Sequence, residues 1–102
     1  MEIQTGRISF NRFRNSGPRT DRAEIVFATP VTQATAILRG FDVSFSPRDD
    51  HHLGNLEVRL DAAIDPLAPQ RVNVDVTFGL RDWSGDWDDN YEGEILFTVI
   101  AE

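Results

Sequence analysis

The sequence predicts an all-β fold, a six-stranded antiparallel β-sandwich. Apolar and polar residues alternate over several runs, most clearly over residues 56–64 and 72–80. This period of two is typical of strands that bury one face and expose the other. Turn-forming residues separate the runs roughly every 10–15 residues, and no stretch keeps a helical period. Six strands in a chain of this length favour two packed sheets, with a small closed barrel as the alternative.

The first two strands are separated by a strong turn signal. Residues 2–10 predict the first strand, and the Asn-Ser-Gly-Pro sequence at residues 15–18 breaks the chain after it. Residues 22–28 predict the second strand, which ends before the Thr-Pro pair at residues 29–30. The residue before a proline is biased towards extended backbone, so a helix is disfavoured there.

The third strand is predicted over residues 35–45, with an irregularity in its middle. The apolar alternation places Arg39 among residues that should face the core. A β-bulge around Gly40 would restore the alternation, because one extra residue shifts the phase of the strand. Residues 46–52 then form a polar loop.

The second half of the chain contains the three clearest strands. Residues 56–64 and 72–80 alternate strictly, and the turn between them, residues 65–69, contains two prolines. Residues 82–92 form the longest segment without a pattern. The last strand is predicted over residues 93–101.

Length and composition predict one domain spanning residues 1–102. The chain contains no cysteine, which excludes disulfides, thiolate metal sites and cysteine nucleophiles. No apolar run approaches the roughly 20 residues of a membrane-spanning helix. The first ten residues lack the apolar core of a signal peptide, so we expect none, and the sequence does not identify a compartment.

The charge is unevenly distributed along the chain. Residues 1–22 contain five arginines and two acidic residues, whereas the remaining 80 residues contain five arginines and fifteen acidic residues. The net charge of −7 disfavours nucleic acid as a partner, since an acidic surface repels phosphates. We expect the basic N-terminal stretch to pair with acidic groups of this chain or of a neighbouring one.

The segment 82–92 is the first candidate for a binding site. It contains both tryptophans, the only tyrosine and five carboxylates within eleven residues. Carbohydrate sites use this mixture, because an aromatic ring packs on the apolar face of a sugar while carboxylates accept its hydroxyl protons. In the alternative interpretation, Trp83 and Trp87 cover one end of the core and the acidic residues keep the loop soluble.

The same segment could bind Ca²⁺. Carboxylate and amide oxygens are the ligands that Ca²⁺ prefers, and closely spaced acidic residues repel each other without a cation. The spacing does not match an EF-hand loop. The candidate ligands are Asp86, Asp88, Asp89 and Asn90.

Two other observations bear on chemistry. Residues 49–52, Asp-Asp-His-His, form a second polar cluster, but adjacent histidines in an extended segment point in opposite directions and seldom bind one ion together. The sequence contains no nucleophile elbow, no His-Glu-x-x-His motif and no glycine-rich phosphate loop. We therefore predict that the protein is not an enzyme.

Short motifs along nearly the whole chain resemble the H-type lectin family, small six-stranded β-sandwiches typified by snail agglutinins that bind N-acetylgalactosamine. In chain order, the segments that resemble the family's strands are residues 3–8 (IQTGRI), 27–30 (FATP), 36–38 (AIL), 41–43 (FDV), 55–58 (NLEV), 71–83 (ending in Asp-Trp) and 95–101. The order and spacing of these motifs carry the resemblance.

Carried over residue by residue, the resemblance implies a sugar site. Its members would be Asp21, Arg59, Asp82, Trp83 and Ser84. Trp83 would stack on the sugar ring, and the others would make polar contacts. Glu57 stands where the family's strand has an arginine, and Arg59, on the same strand face, would have to substitute for it.

The resemblance also implies a homo-oligomer, a trimer or a stacked hexamer, with sugar sites at the boundaries between protomers. The resulting hypothesis is a carbohydrate-binding, lectin-like module that is multivalent through oligomerisation. The alternative is a structural or assembly module of the tail-fibre or injection-apparatus type, in which the acidic loop contacts protein, with Ca²⁺ as a possible stabilising ion.

Overall fold

The structure is a computed structural model, and it describes residues 1–13, 17–45, 52–84, 87 and 90–102. These residues form strands and connections, with no helix among them. The strands are β1 (Glu2–Phe13), β2 (Arg19–Val26), β3 (Ala34–Phe45), β4 (Leu53–Asp65), β5 (Ala68–Asp82) and β6 (Tyr91–Ala101). Within the described ranges, no helix has the length and apolar character needed to cross a bilayer.

The strands are arranged in two three-stranded sheets, and all neighbouring strands are antiparallel. Sheet 1 has the order β1-β6-β3, and sheet 2 has the order β2-β5-β4. The central strands β5 and β6 follow each other in the sequence but belong to different sheets. The prediction of an all-β chain with six antiparallel strands is confirmed.

Most strands are longer than the alternation predicted. Strand β5 extends from Ala68 to Asp82, beyond the predicted residues 72–80, because flanking polar residues continue the ladder with β4. The expected bulge is confirmed, since the register of β3 against β6 shifts between Leu38 and Gly40. Strand β2 ends at Val26, before the predicted residues 27 and 28, although the Phe27 side chain is still buried.

The core lies between the two sheets and is densest around the two central strands. Alternate side chains of β5 and β6 are completely buried: Val72, Val74, Val76 and Phe78 on β5, and Tyr91, Ile95, Phe97 and Val99 on β6. The Phe78 ring of sheet 2 lies 5.3 Å from the Phe10 ring and 5.2 Å from the Tyr91 ring, both of sheet 1. These aromatic contacts join the two sheets at one end of the molecule.

Strands β4 and β5 form a tight hairpin with the turn at Pro66 and Leu67. Asp65 pairs with Ala68, and the Asp65 carboxylate accepts a hydrogen bond from the Leu67 backbone N–H at 2.9 Å. This is the local bonding by which Asp favours turns. The hairpin places Leu67 and the C-terminal end of β5 at opposite ends of a molecule 47 Å long.

Two arginines of the basic N-terminal stretch pair with acidic groups of the same chain. Arg7 lies 3.6 Å from the Glu94 carboxylate, and Arg22 Nε lies 2.8 Å from the Asp75 carboxylate across β2 and β5. The hydrogen bond from Arg22 is the largest cause that lowers the pKa of Asp75 below its ordinary value; burial opposes the shift, and the positive charge of Arg22 adds to it.

We predict that Arg22→Gln raises the pKa of Asp75 towards its ordinary value. The lowered pKa means that the pair stabilises the fold above the pKa of the unfolded carboxyl, and that this contribution is lost as the pH falls through the folded value. A carboxyl NMR titration of the parent and the variant measures the change. Arg59→Gln, which removes a cation paired with Glu57 instead, serves as the control and should leave the titration of Asp75 unchanged.

Candidate functional site

A hydrogen-bonded corner forms where the C-terminal end of β5 meets the start of β4. The Trp83 backbone N–H donates to the His52 carbonyl at 3.0 Å. The Asp82 carboxylate accepts hydrogen bonds from the Ser84 backbone N–H at 3.1 Å and the Ser84 hydroxyl at 2.5 Å. We call residues 52–54 and 82–84 the Trp83 corner. One backbone hydrogen bond therefore joins Trp83 to the residue before β4, and the Asp82–Ser84 bonds order the turn locally.

Gly54 allows the two strands to approach closely at this corner. A Cβ atom at this position would overlap the Asp82 carbonyl group and would lie 2.7 Å from the Trp83 Cα. Both neighbours are backbone atoms, which cannot move aside as a flexible side chain can. The register of β4 against β5 also shifts here, between Leu53 and Asn55.

The Trp83 indole is the most exposed Trp, Tyr or Phe ring among the side chains that the structure describes, with 75% of the residue's surface in water. The His52 imidazole approaches it edge-on, with the ring centroids 5.4 Å apart and the planes at 65°. Sequence reasoning gave no cause to place His52 beside Trp83. Only the pairing of β4 with β5, which brings Leu53 opposite Asp82, places the two residues side by side.

The other two aromatic residues of the segment 82–92 have a structural role. Trp87 is partly buried and packs against the core; a Cβ atom at Gly79 would lie 3.0 Å from its ring, and the Arg81 guanidinium lies 5.5 Å from the ring centroid. Tyr91 begins β6, is fully buried and donates its hydroxyl proton to the Gly17 carbonyl at 2.6 Å. The predicted aromatic cluster therefore divides into one exposed ring and two that close the end of the core.

Asp21 lies in an open groove beside β1 and β2. The groove has a volume of about 610 Å³ and is lined by Ser9, Phe10, Asn11, Arg19, Thr20 and Asp21. The Arg19 guanidinium lies 4.6 Å from the centroid of the Tyr91 ring and donates to the carbonyls of Asn11 and Tyr91, each at 2.9 Å. Arg19 is therefore a fixed part of the groove wall, whereas the Asp21 carboxylate is exposed.

Arg59 lies on the outer face of sheet 2, opposite Thr77 of β5. Its Nε atom lies 3.0 Å from the Glu57 carboxylate, so the two residues do share a strand face. Arg59, which the sequence analysis expected in the sugar site, is thus paired with Glu57.

The five predicted sugar-binding residues do not converge within one chain. Asp82, Trp83 and Ser84 lie together at the Trp83 corner. Arg59 is opposite Thr77, which precedes Asp82 by five residues on β5, and this separation corresponds to about 17 Å along the strand. Asp21 is opposite Val76, which lies one residue further from Asp82 along β5 than Thr77 does. A site containing all five would need contributions from more than one protomer.

The predicted Ca²⁺ ligands lie mostly outside the described residues. Asp86, Asp88 and Asp89 belong to the ranges that the structure does not describe. Asn90 is described, and its side-chain oxygen is buried without a hydrogen-bond partner in that part of the chain. No group of three or more His, Asp or Glu side chains suited to a metal occurs among the described residues. The Ca²⁺ site therefore stays a prediction.

Comparisons with protein-family models, with curated proteins and with solved structures find no match to this chain. The interpretation of the site therefore depends on its own geometry.

We predict that Gly54→Ala lowers the free energy of unfolding by an amount near the upper end of the roughly 1–3 kcal/mol that overpacking typically costs. The new methyl group would meet backbone atoms of Asp82 and Trp83. Gly40→Ala is the matched control, because its Cβ would meet only the Leu96 side chain, at an ordinary 3.7 Å. Urea denaturation measures both free energies of unfolding, and equal losses in the two variants would contradict the close-approach explanation.

We predict that the two tryptophans differ in fluorescence. In a Trp87→Phe protein the remaining Trp83 should emit at long wavelength and be quenched readily by acrylamide, because its indole is in water. In a Trp83→Phe protein the remaining Trp87 should emit at shorter wavelength and be quenched less. Equal quenching in both folded variants would contradict the difference in exposure between the two rings.

Proposed function

We propose that the protein is a carbohydrate-binding, lectin-like module that becomes multivalent through homo-oligomerisation. The observation that supports this proposal best is the exposed Trp83 indole on a corner whose backbone donates a hydrogen bond to the His52 carbonyl. A large apolar ring left in water costs free energy unless a ligand covers it, and a hydrogen-bonded support lowers the entropy lost on binding.

The surroundings of Trp83 have the chemistry that a sugar needs. One face of a pyranose ring is apolar and can pack on the indole, while its hydroxyl groups need acceptors and donors at the edge. Asp82 provides carboxylate oxygens, Ser84 a hydroxyl group and His52 an imidazole, all within the Trp83 corner. We propose these four side chains as the primary contacts.

Asp21 and Arg59 have a secondary place in the proposal. Each lies far from Trp83 in the same chain, so they would join the site only across a boundary between protomers, as the resemblance to H-type lectins implies. The two three-stranded antiparallel sheets are compatible with an H-type lectin-like sandwich, and we propose that fold relationship together with the function.

A single shallow platform of this kind predicts weak binding. Few groups surround the indole, and a sugar on it would keep much of its surface in water. Oligomerisation would raise the effective affinity by linking several such sites, without any new contact within one site.

We predict that the purified protein binds a coherent class of glycans on an array, and that Trp83→Ala weakens this binding at least tenfold because the stacking surface is lost. Leu67→Ala is the control. It removes a side chain that is 93% exposed at the opposite end of the β4–β5 hairpin, and it should bind as the parent does. Circular dichroism melting shows whether each variant is folded.

The outcomes separate the possibilities. Binding that survives in folded Trp83→Ala would move the site elsewhere, and a blank array with folded parent protein would contradict the carbohydrate function. The same array run with Ca²⁺ and with a chelator tests the predicted cation: loss of binding and a lower melting temperature on chelation would support a role for residues 86–90.

The second candidate function is that of a structural or assembly module. It is favoured by apolar residues exposed along the β3 edge: Leu38 and Phe41 both have more than two-fifths of their surface in water. Their register opposite Phe97 and Ile95 assigns them to the inner face of sheet 1, so the core is open along this side. A blank glycan array would make this candidate the better one.

A further inference from the structure

Three of the four edge strands that the structure describes have features that hinder pairing with a further strand. In sheet 1, the register of β1 shifts between Phe10 and Phe13, and that of β3 shifts between Leu38 and Gly40. Irregularities of this kind bend an edge, and natural sheets use them against unwanted pairing. Both edges of sheet 1 are therefore interrupted.

Strand β2 is regular, but it directs charged side chains inward. Arg19 and Asp21 lie on the side of the strand on which Ala23 packs against the core. Gln4 of β1 also donates to the Val26 carbonyl of β2 at 2.7 Å, which occupies a backbone acceptor at the end of that strand. Inward-pointing charges and an occupied acceptor both disfavour a strand added beside β2.

Strand β4 has none of these features over residues 55–64, which we call the β4 edge. Its pairing with β5 continues without a shift from Asn55 to Ile64, and this stretch contains no proline. In an antiparallel ladder every second residue directs its backbone N–H and C=O groups away from the partner strand. In the part of the chain that the structure describes, no backbone hydrogen bond outside the ladder involves the β4 edge.

An open groove lies along the β4 edge. Its volume is about 330 Å³, and its described lining consists of the five consecutive residues 55–59. Consecutive side chains of a strand point to opposite faces, so a groove that touches all five follows the edge of the strand rather than one face. Strand β5 occupies the other edge of β4, so the groove lies on the unpaired side.

The inner face beside the β4 edge is apolar and only partly covered. Strand β3 lies next to β4 on this side of the sandwich, and its Leu38 and Phe41 are 42% and 48% exposed although the register assigns them to the inner face. A strand added beside β4 would cover this face with its own inward side chains. The partly buried inner residues of the β4 edge are Leu56, Val58, Leu60, Ala62 and Ile64.

The charges of β3 and β4 indicate which partner fits. Glu57 and Arg59 compensate each other at 3.0 Å. Arg39 and Asp42 of β3 are both exposed and of opposite sign. Asp61, in contrast, is exposed on the β4 edge and has no ion pair with a described residue. An opposite charge across a strand pair is stabilising, so Asp61 favours a partner with a basic residue at this position.

We propose that the β4 edge binds an extended segment of another protein, which joins sheet 2 as a fourth strand. The segment has apolar side chains at alternate positions, and these cover the open side of the core near Leu38 and Phe41. Between them it has a basic side chain opposite Asp61. Backbone hydrogen bonds to β4 provide the affinity, and the alternating side chains provide the specificity.

A second copy of this chain fits the β4 edge less well. Strand β4 contains three acidic residues and one arginine, and each chain has a net charge of −7. Like charges on adjacent strands are destabilising, and the charge of the whole chain opposes the approach of another copy. The same net charge favours the approach of a basic segment.

The probe for this proposal is a synthetic peptide in which valine alternates with threonine around one central arginine. A second peptide has glutamate in place of the arginine. In NMR titrations we expect the parent protein to bind the arginine peptide about two- to fivefold more tightly, the effect of one cross-strand charge pair. Asp61→Arg should reverse this preference, and Asp61→Asn should abolish it.

Two further measurements test strand addition itself. The arginine peptide with N-methylated backbone amides keeps its side chains but cannot donate to β4, so it should bind at least tenfold more weakly. Amide hydrogen exchange of the β4 edge should slow when the unmethylated peptide is added, because its outward N–H groups become bonded. Exchange in β2, Arg19–Val26, should not change.

Substitutions on the two sides of the sandwich provide the matched comparison. Phe41→Glu places a charge beside the β4 edge and should weaken binding of the arginine peptide at least tenfold. Val26→Glu is the control, since Val26 is 58% exposed on β2, on the closed side, and its substitution should leave peptide binding unchanged. Circular dichroism checks folding. If Phe41→Glu does not fold, Leu38→Thr and Asp61→Arg provide the test.

Several results would overturn the proposal. These are a parent protein that does not bind the arginine peptide at about 1 mM, equal binding of the two peptides, full binding after N-methylation, or protection of β1 or β2 in place of β4. Slower exchange of the β4 edge with rising protein concentration, without peptide, would show that a second copy occupies it and would also overturn the proposal.

This inference does not rest on sugar binding. It uses the open side of the core that favours the assembly candidate, whereas Trp83 lies at the end of β5. Trp83→Ala should bind the arginine peptide as the parent does, so the two sites are measured separately. A blank glycan array leaves the peptide test intact, and a protein that binds glycans but not the arginine peptide overturns strand addition alone.

Discussion

The packing of Phe78 between the two sheets is the contact on which the rest of the molecule depends. Its ring touches Phe10 and Tyr91 of sheet 1, so one side chain holds both sheets in register at that end. Gly93 makes the contact possible, because a Cβ atom there would lie 3.1 Å from the Phe78 ring and 2.6 Å from Val43. The Trp83 corner lies just beyond this contact, and its position follows from it.

Sequence periodicity was sufficient to predict the strands because burial acts on every second residue of a strand. It was least accurate at strand ends, where backbone pairing continues without apolar side chains: Pro69 and Asp82 belong to β5 although neither fits the alternation. The bulge at Gly40 was predictable, since strict alternation would have buried the charged Arg39 side chain and one extra residue avoids that cost.

The candidate site was only partly predictable, because composition does not distinguish an exposed ring from a buried one. Trp83 and Tyr91 lie in the same aromatic and acidic segment, yet Trp83 is exposed and Tyr91 is completely buried. The difference arises from Phe78 and Gly17, which are distant in sequence and contact Tyr91. Motif order likewise gave no distance between Arg59 and Trp83, which the register of β4 on β5 places far apart.

The length of the strands separates two surfaces of different chemistry. The end where β5 meets β6 has the exposed indole and the acidic rows, and both need water or a polar ligand. The opposite end of sheet 1 has isoleucine and threonine, which gain free energy by leaving water. In a molecule 47 Å long and 22 Å across, the exposed indole and these isoleucines are therefore separated by most of the length of the strands.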